Sequence, residues 1–385
     1  MSFQSSHKFP FLSEFSPDHR RRAEKARSEL EVSKKKRAEA RKRQVDEVAE
    51  NARRQMHNLL GAKKARSLRD LMRRERLSLR DLCQPPGGLT LDFAKANRLR
   101  KAKADRLLRD FGISREKMMK IGLDARKRLQ SILGKVDGKV VPGYNLALNL
   151  QSWKKLSPLH QFALPWGELE LPPEDPNDPH RWFLFRPPWF GFDWSSDLGT
   201  TGEFSVNHEH IVSPAAGLVG NHVMLEDDDA SNYDTAYADV ETRIAFAFQT
   251  PTTGLIEVLI DAQSAVAKND LYIEDEWGWS DSSTEQSNFL LLRVLHPNAP
   301  ESSLALMDSF SLETSDTTLK HRENLTRGAH YYAHLFSSGP VPGGQSVIVE
   351  VGTRTWDYSI TNDMSVEAES TYHWFINSVE VRIAP

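Results

Sequence analysis

The sequence predicts α and β structure in separate regions: a basic α-helical N-terminal arm or hairpin, followed by an all-β antiparallel sandwich that is jelly-roll-like. Three observations predict it. First, charge is divided along the chain: residues 1–150 hold 38 Lys and Arg against 18 Asp and Glu, a net of +20. Residues 151–385 hold 12 against 35, a net of −23, and the total of −3 hides the contrast. Second, the hydrophobic period changes from helical to alternating near Glu203. Third, all 9 tryptophans fall in the second half.

The chain of 385 residues is long enough for two domains. Its single cysteine, Cys83, excludes an intrachain disulfide and fits a reducing compartment. The first residues, MSFQSSHKFPFLSEFSPDHRRR, lack the apolar run of a signal peptide. No stretch approaches the roughly 20 apolar residues of a spanning helix. These features lead to the expectation of a cytoplasmic or particle-associated protein with no transmembrane segment.

Residues 1–15 read as an irregular lead. Ser16-Pro17 then supplies a capping residue followed by proline at the first helical position. From there to Gly61 the chain is rich in Ala, Arg, Lys and Glu, which are strong helix formers. Glu31–Lys35, Glu39–Arg43 and Glu50–Arg54 add i,i+4 pairs. The apolar stripe through Val45, Val48, Ala52, Leu59 and Ala62 keeps coiled-coil spacing for only about two and a half heptads. The expectation is a long, mostly solvated helix. Leu68, Leu71, Met72, Leu79 and Leu82 mark a second helix, ended by Pro85-Pro86-Gly87-Gly88. Thr90 caps a third that runs to Phe111; Gly112 breaks it, and Ser114 caps a fourth that reaches Leu133 before Gly134. The basic helical region is thus 16–135.

Residues 136–195 read as a Pro- and aromatic-rich linker, with seven prolines between Pro165 and Pro188. Over 196–385 the period is two. Ile244, Phe246 and Phe248 alternate with Arg243, Ala245 and Ala247; Ile256, Val258 and Ile260 share a face; so do Val347, Val349 and Val351, and Val379, Val381 and Ile383. About eight to ten such strands with one face buried mean an antiparallel sandwich.

Several residue sets carry candidate chemistry. Arg20, Arg21, Arg22, Lys34, Lys35, Lys36, Arg37, Arg41, Lys42 and Arg43 could neutralise phosphates of a nucleic acid without reading bases. Phe93 and Phe111 are the only aromatics between Ser16 and Gly134, so groups for stacking on single strands are missing. The same charges would equally suit a solvated face or docking on an acidic protein surface. Leu107, Phe111, Gly112, Ile113, Met118 and Ile121 resemble a helix-turn-helix in spacing. That resemblance would put Arg115, Lys117 and Lys120 on or beside a reading helix. It departs at Leu108, where the motif prefers a small residue, and a plain helical hairpin gives the same pattern.

In the β half, His208 and His210 would share one strand face and could reach one metal ion. With Gly202 six residues earlier, they resemble the opening of the cupin motif, although Pro214 and Ala215 stand where its glutamate should follow. His330 and His334 could complete such a site. Asp227 and Asp229, in an acidic loop with Asn232 and Asp234, offer the hard oxygens that Ca2+ prefers. The loop lacks the glycine and closing glutamate of an EF-hand. Trp182, Trp189, Trp194, Trp277 and Trp279 could form a sugar-stacking platform, or else pack a seam. Glu274, Asp275, Glu276 and Asp281 could supply a glycosidase carboxylate pair. There is no P-loop, GxGxxG, GxSxG, HExxH or CxxC.

The reading that follows is a non-enzymatic binding or assembly protein without a cofactor. Its sandwich makes the specific contact and its basic arm tethers to a polyanion or an acidic protein surface, a division that resembles capsid-type proteins. The first alternative is a carbohydrate- or calcium-binding sandwich made a homo-oligomer by its helices. The second is a metal-dependent enzyme built on His208 and His210. The opposite charges of arm and sandwich would also suit a contact between neighbouring chains.

Overall fold

The computed structural model describes residues 4–8, 17–61, 64, 102, 105–106, 108–137, 139–142, 144–145, 169–171, 181–189, 191–227, 234–275, 282–296, 300–314, 318–323, 330–337, 339–362 and 364–385. The expected second helix, Trp277, Trp279 and Asp229 lie outside these residues, as do the side chains of Trp182, His330 and His334. The elements are β1 (Gln4–Lys8), α1 (Pro17–Leu60), α2 (Arg115–Leu133), β2 (Lys139–Pro142), β3 (Tyr144–Asn145), β4 (Leu169–Leu171), β5 (Arg181–Phe185), β6 (Gly191–Thr201), β7 (Ser205–Ser213), β8 (Leu218–Asp227), β9 (Asp234–Gln249), β10 (Leu255–Asp275), β11 (Ser282–Leu295), β12 (Pro300–Thr314), β13 (Thr318–Glu323), β14 (His330–Phe336), β15 (Ser346–Thr361) and β16 (Met364–Ala384).

Sheet A has the order β1-β6-β9-β15-β11-β12-β2, and every pair is antiparallel except β12–β2. Sheet B has the order β3-β14-β10-β16-β5-β4, with β13 beside β10, β8 beside β16 and β7 beyond β8. The two sheets pack face to face, and the helices cover the other face of sheet A. The predicted helical region and antiparallel sandwich are therefore both present, arranged as three layers.

Burial along single strands reports this layering. In β15 all 16 residues are buried, because sheet A is covered on both sides. In β16 buried positions alternate with more exposed ones, because sheet B is covered on one side. Between the sheets lie two apolar clusters, one around Val349, Ile376 and Val381 and one around Val223, Leu225 and Ile273. A polar seam joins them. Asn221 Nδ2 donates to Thr355 Oγ1 at 3.1 Å, Asn288 Nδ2 donates to Thr353 Oγ1 at 2.8 Å, and Trp374 Nε1 donates to Asn288 Oδ1 at 2.9 Å. Buried polar groups are tolerable here because they satisfy one another.

Local signals explain the helices. Proline occupies the first position of α1, and Gly61 follows its last turn at φ 73°. Before α2, the Ile113 amide donates to the Leu108 carbonyl at 2.8 Å and the Gly112 amide donates to the Arg109 carbonyl at 2.9 Å. These are the two bonds of a Schellman motif, with Gly112 at φ 68° as its left-handed residue and Leu108 and Ile113 both buried. Ser114 then caps α2 through its side chain. The two helices run antiparallel, with Met118 and Ala125 of α2 in the cluster of Ala52 and Met56, and Leu129 and Leu133 in that of Val45.

Two stretches read as irregular carry strands. Gln4–Lys8 in the lead pairs with β6, and Arg181–Phe185 in the proline-rich stretch pairs with β16, burying Phe183 and Phe185. Five residues are too few to display an alternation against such surroundings.

Candidate functional site

α1 is the long, mostly exposed helix expected, but one stripe of it is buried. Residues Arg27, Leu30, Lys34, Ala38, Arg41, Val45, Ala49 and Ala52 recur at three- and four-residue steps and turn one stripe toward sheet A or α2. The first half of that stripe is cationic because the surface beneath it is anionic. Arg27 donates to Asp193 at 2.8 Å, Lys34 bonds Glu241, and Arg41 donates to Asp197 and Asp137 at 2.8 Å each. Arg22 reaches Gln345 at one end and Arg53 reaches Asp234 at the other. From Arg22 to Arg53 the helix rises roughly 46 Å, close to the roughly 50 Å of β9 beneath it. Sheet A also carries its own cations, Arg243, Arg293 and Arg354, which bind Asp193, Glu241, Glu350 and Asp239.

The electrostatics of this layer follow from burial and neighbours. Burial lowers Lys34 to about 7; Glu241 opposes the shift, while Arg293 and Arg243 add to it. Burial also raises Asp197 to about 6 with help from Asp239, against Arg41 and Arg354. Glu241 is raised by burial, yet Lys34, Arg243 and Arg293 hold it well below its ordinary value. A cavity of about 70 Å³ remains between α1 and the sheet, lined by these same groups.

Lys34 and Arg41, expected to meet a polyanion, are therefore engaged by the chain's own carboxylates. Of the other expected contacts, Arg21, Arg22, Lys35, Lys36, Arg37, Lys42 and Arg43 are exposed and Arg20 is half-buried. Lys117 and Lys120 point into solvent, and Arg115 pairs with Asp105 at 2.8 Å.

The outer face of sheet B is differently built. Residues directly opposite in an antiparallel ladder share a face. One row across five strands is Glu209, His222, Thr371, Lys268 and Glu323. The next is Asn207, Met224, Glu369, Asp270 and His321. Glu369 accepts from His222 Nε2 at 3.1 Å and from Lys268 Nζ at 3.0 Å, Lys268 also meets Asp270 at 2.8 Å, and His321 bonds Asp270. Hydrogen bonds to Asp270 and Glu369 raise Lys268. Asp270 is lowered: burial would raise it, but its bonds to Lys268 and His321 prevail. A third row brings His373 over Gly220, where a Cβ would lie 2.6 Å from the imidazole, and Phe375 remains 37% exposed beyond it. Sequence reading missed this cluster, because its members come from strands up to about 160 residues apart and none forms a motif.

His208 and His210 do share the inner face of β7, as expected. Their rings meet edge to face at 5.2 Å, His210 Nδ1 bonds Thr242 Oγ1 at 2.8 Å, and Trp194 stacks on His210 at 4.4 Å. Burial lowers His208, and burial with His208 and Arg243 lowers His210 to about 3. Among the described residues no three His, Cys, Asp or Glu side chains converge as metal ligands. Asp227 is buried at the end of β8. Trp189 does not serve as a sugar platform: it is 4% exposed and packs against Phe246 at 5.4 Å, filling the end of the apolar core. Trp194 is half-buried. No helix among the described residues is long and apolar enough to cross a membrane.

No protein family and no curated protein matches the chain. Among solved structures, similarity is to the enzymatically active domain of tailspike protein 4 of bacteriophage CBA120, at 8% identity and TM-score 0.15 over 45% of this chain and 19% of that one. It extends to TmCBM61 in complex with β-1,4-galactotriose, at 10% identity and TM-score 0.09 over 42% of this chain and 86% of that one. A CBM4 structure aligns at 9% identity and TM-score 0.13 over 50% of this chain and 89% of that one. The chain thus spans about a fifth of the tailspike domain.

Proposed function

We propose that this chain is a binding module that holds a carbohydrate on the outer face of sheet B. One observation carries the reading. Of the four sheet faces, two cover each other and one lies under the helices; among the described residues nothing covers the fourth, where donors and acceptors stand side by side. Lys268, His222 and His321 donate there, while Glu369 and Asp270 accept. Sugar hydroxyls both donate and accept, so such a mixed surface suits them better than a surface of one sign. Phe375 supplies an exposed ring beside the polar rows. The helical layer braces sheet A from behind and takes no direct part.

The test is a broad glycan array with the full chain, followed by titration calorimetry on the best glycan. The double variant Lys268→Met/Glu369→Gln should bind at least about tenfold more weakly, with an unchanged melting temperature. A flat array, or full affinity in the double variant, would overturn the reading.

A further inference from the structure

We infer that the cleft between α1 and α2, on the side away from sheet A, binds a small ligand carrying two or more phosphoryl groups. The site is separate from the sheet B face and does not depend on the carbohydrate reading. It begins with helical spacing. Arg37, Gln44 and Asn51 repeat every seven residues and so form one stripe on α1. Arg128, Ser131 and Lys135 form the facing stripe on and just beyond α2, with Lys127 beside them. The two stripes enclose a cleft of about 720 Å³. Val48 and Ile132 form its floor, and both pack on the cluster that joins the helices to sheet A.

Charge makes this cleft unlike the layer beneath α1. There, each inward cation meets a carboxylate. Here Arg37, Lys127, Arg128 and Lys135 make no hydrogen bond or ion pair among the described residues. The carboxylates that line the cleft are Glu47 and Asp137, and Asp137 is already bound to Arg41 at 2.8 Å. Cations that converge on a concave surface without matching acids attract anions. Arginine adds a planar fork that suits phosphate oxygens.

Geometry narrows the ligand. Arg37 stands on one wall and the other three cations on the opposite wall, so a ligand that meets both needs more than one anionic group. The volume falls in the range of small-molecule sites, roughly 300–1,000 Å³. Among the described residues no aromatic side chain lines the cleft, and the base stacking on which single-strand binders rely is missing from it. The favoured ligand is therefore a compact polyphosphate compound and not a nucleic-acid strand. Such a ligand would bridge two helices that otherwise meet through apolar contacts.

The test uses the full chain, with sodium tripolyphosphate as the probe and sodium sulfate as the control, in calorimetry and thermal unfolding at low salt. Tripolyphosphate should bind saturably and raise the melting temperature, with sulfate at least about tenfold weaker. Arg128→Ala/Lys135→Ala should weaken tripolyphosphate at least about tenfold while the free protein melts as the wild type does. Arg20→Ala/Arg21→Ala/Arg22→Ala should leave binding unchanged. The inference is overturned if tripolyphosphate gives no saturable binding, or if the Arg20–Arg22 variant loses as much affinity as the cleft variant. It is equally overturned if a short RNA duplex binds while tripolyphosphate does not. Glycan binding should be the same in the cleft variant and the wild type, so failure here is distinguishable from failure at sheet B.

Discussion

The indole Nε1–H of Trp356 donates to the backbone carbonyl of Leu133 at 2.9 Å, tying the middle of β15 to the last residue of α2. That carbonyl is one of the acceptors a helix end leaves without an intrahelical partner. The same ring lies 4.5 Å beneath the Arg41 guanidinium and is 1% exposed, so one side chain joins both helices to sheet A.

Trp356→Phe keeps a ring but removes the donor and part of the volume. It should destabilise the chain by about 1–3 kcal/mol, chiefly through the unsatisfied buried carbonyl. Urea unfolding followed by circular dichroism measures this. A midpoint indistinguishable from wild type would show that the bond contributes nothing.

Lys34 and Asp197 should give the stability of the chain two opposite pH slopes. The folded value of Lys34, about 7, lies below its ordinary 10.5. The unfolded chain therefore binds more protons between those values, and stability rises with pH across that window. For Asp197 the folded value of about 6 lies above 3.8. Stability from its extra proton is present below 3.8 and lost as pH rises through 6. Subtracting the pH profiles of Lys34→Met and Asp197→Asn from wild type isolates each slope. Parallel profiles would refute the assignments.

Asp357 lies fully buried, accepts from Ser370 Oγ, and is raised by burial to about 8. The stability that comes from its retained proton should therefore be full below 3.8 and be lost as pH rises through about 8. Asp357→Asn keeps the shape and the acceptor but has no proton to take up on folding, so at pH 7 it should be at least as stable as wild type. It should also remove the fall in stability between pH 3.8 and about 8. A large penalty at pH 7 would mean the carboxyl is ionised there.

Gly352 sits in β15 between Glu350 and Arg354, where a Cβ would lie 2.0 Å from the Thr242 carbonyl oxygen and 2.7 Å from the Arg243 Cα. Both are backbone atoms of β9, so neither can move without disturbing the ladder. Gly352→Ala should cost about 1–3 kcal/mol or more by overpacking, read as a lower melting temperature. An unchanged melting temperature would mean that the strands separate here at no cost.

The ends of α1 and α2 were legible in the sequence because caps act within a few residues. Gly61, Ser114 and Gly134 each stop or start a helix through a neighbouring backbone group, and Pro17 opens α1. Strand cores were legible where the interior is apolar. The alternation read at Ser346–Val351 is real, but β15 continues to Thr361. Its inward residues beyond Val351 are Thr353, Thr355, Asp357 and Ser359, which face the polar seam and show no hydrophobic period. The sheet B cluster was invisible because it exists only once β7, β8, β16, β10 and β13 lie side by side.

The sequence by itself determined a basic helical part, an acidic sandwich and the caps of the described helices, since composition, caps and period are local properties. Only the tertiary structure decided which charges meet. Arg27, Lys34 and Arg41 join carboxylates 166, 207 and 156 residues away, within the same chain. A charge in a sequence states its sign, whereas its energy depends on distance and burial, and both are set by packing. Packing divides the basic helices into cations that meet the chain's own sheet and cations, Arg37 and Arg128 among them, left facing an open cleft.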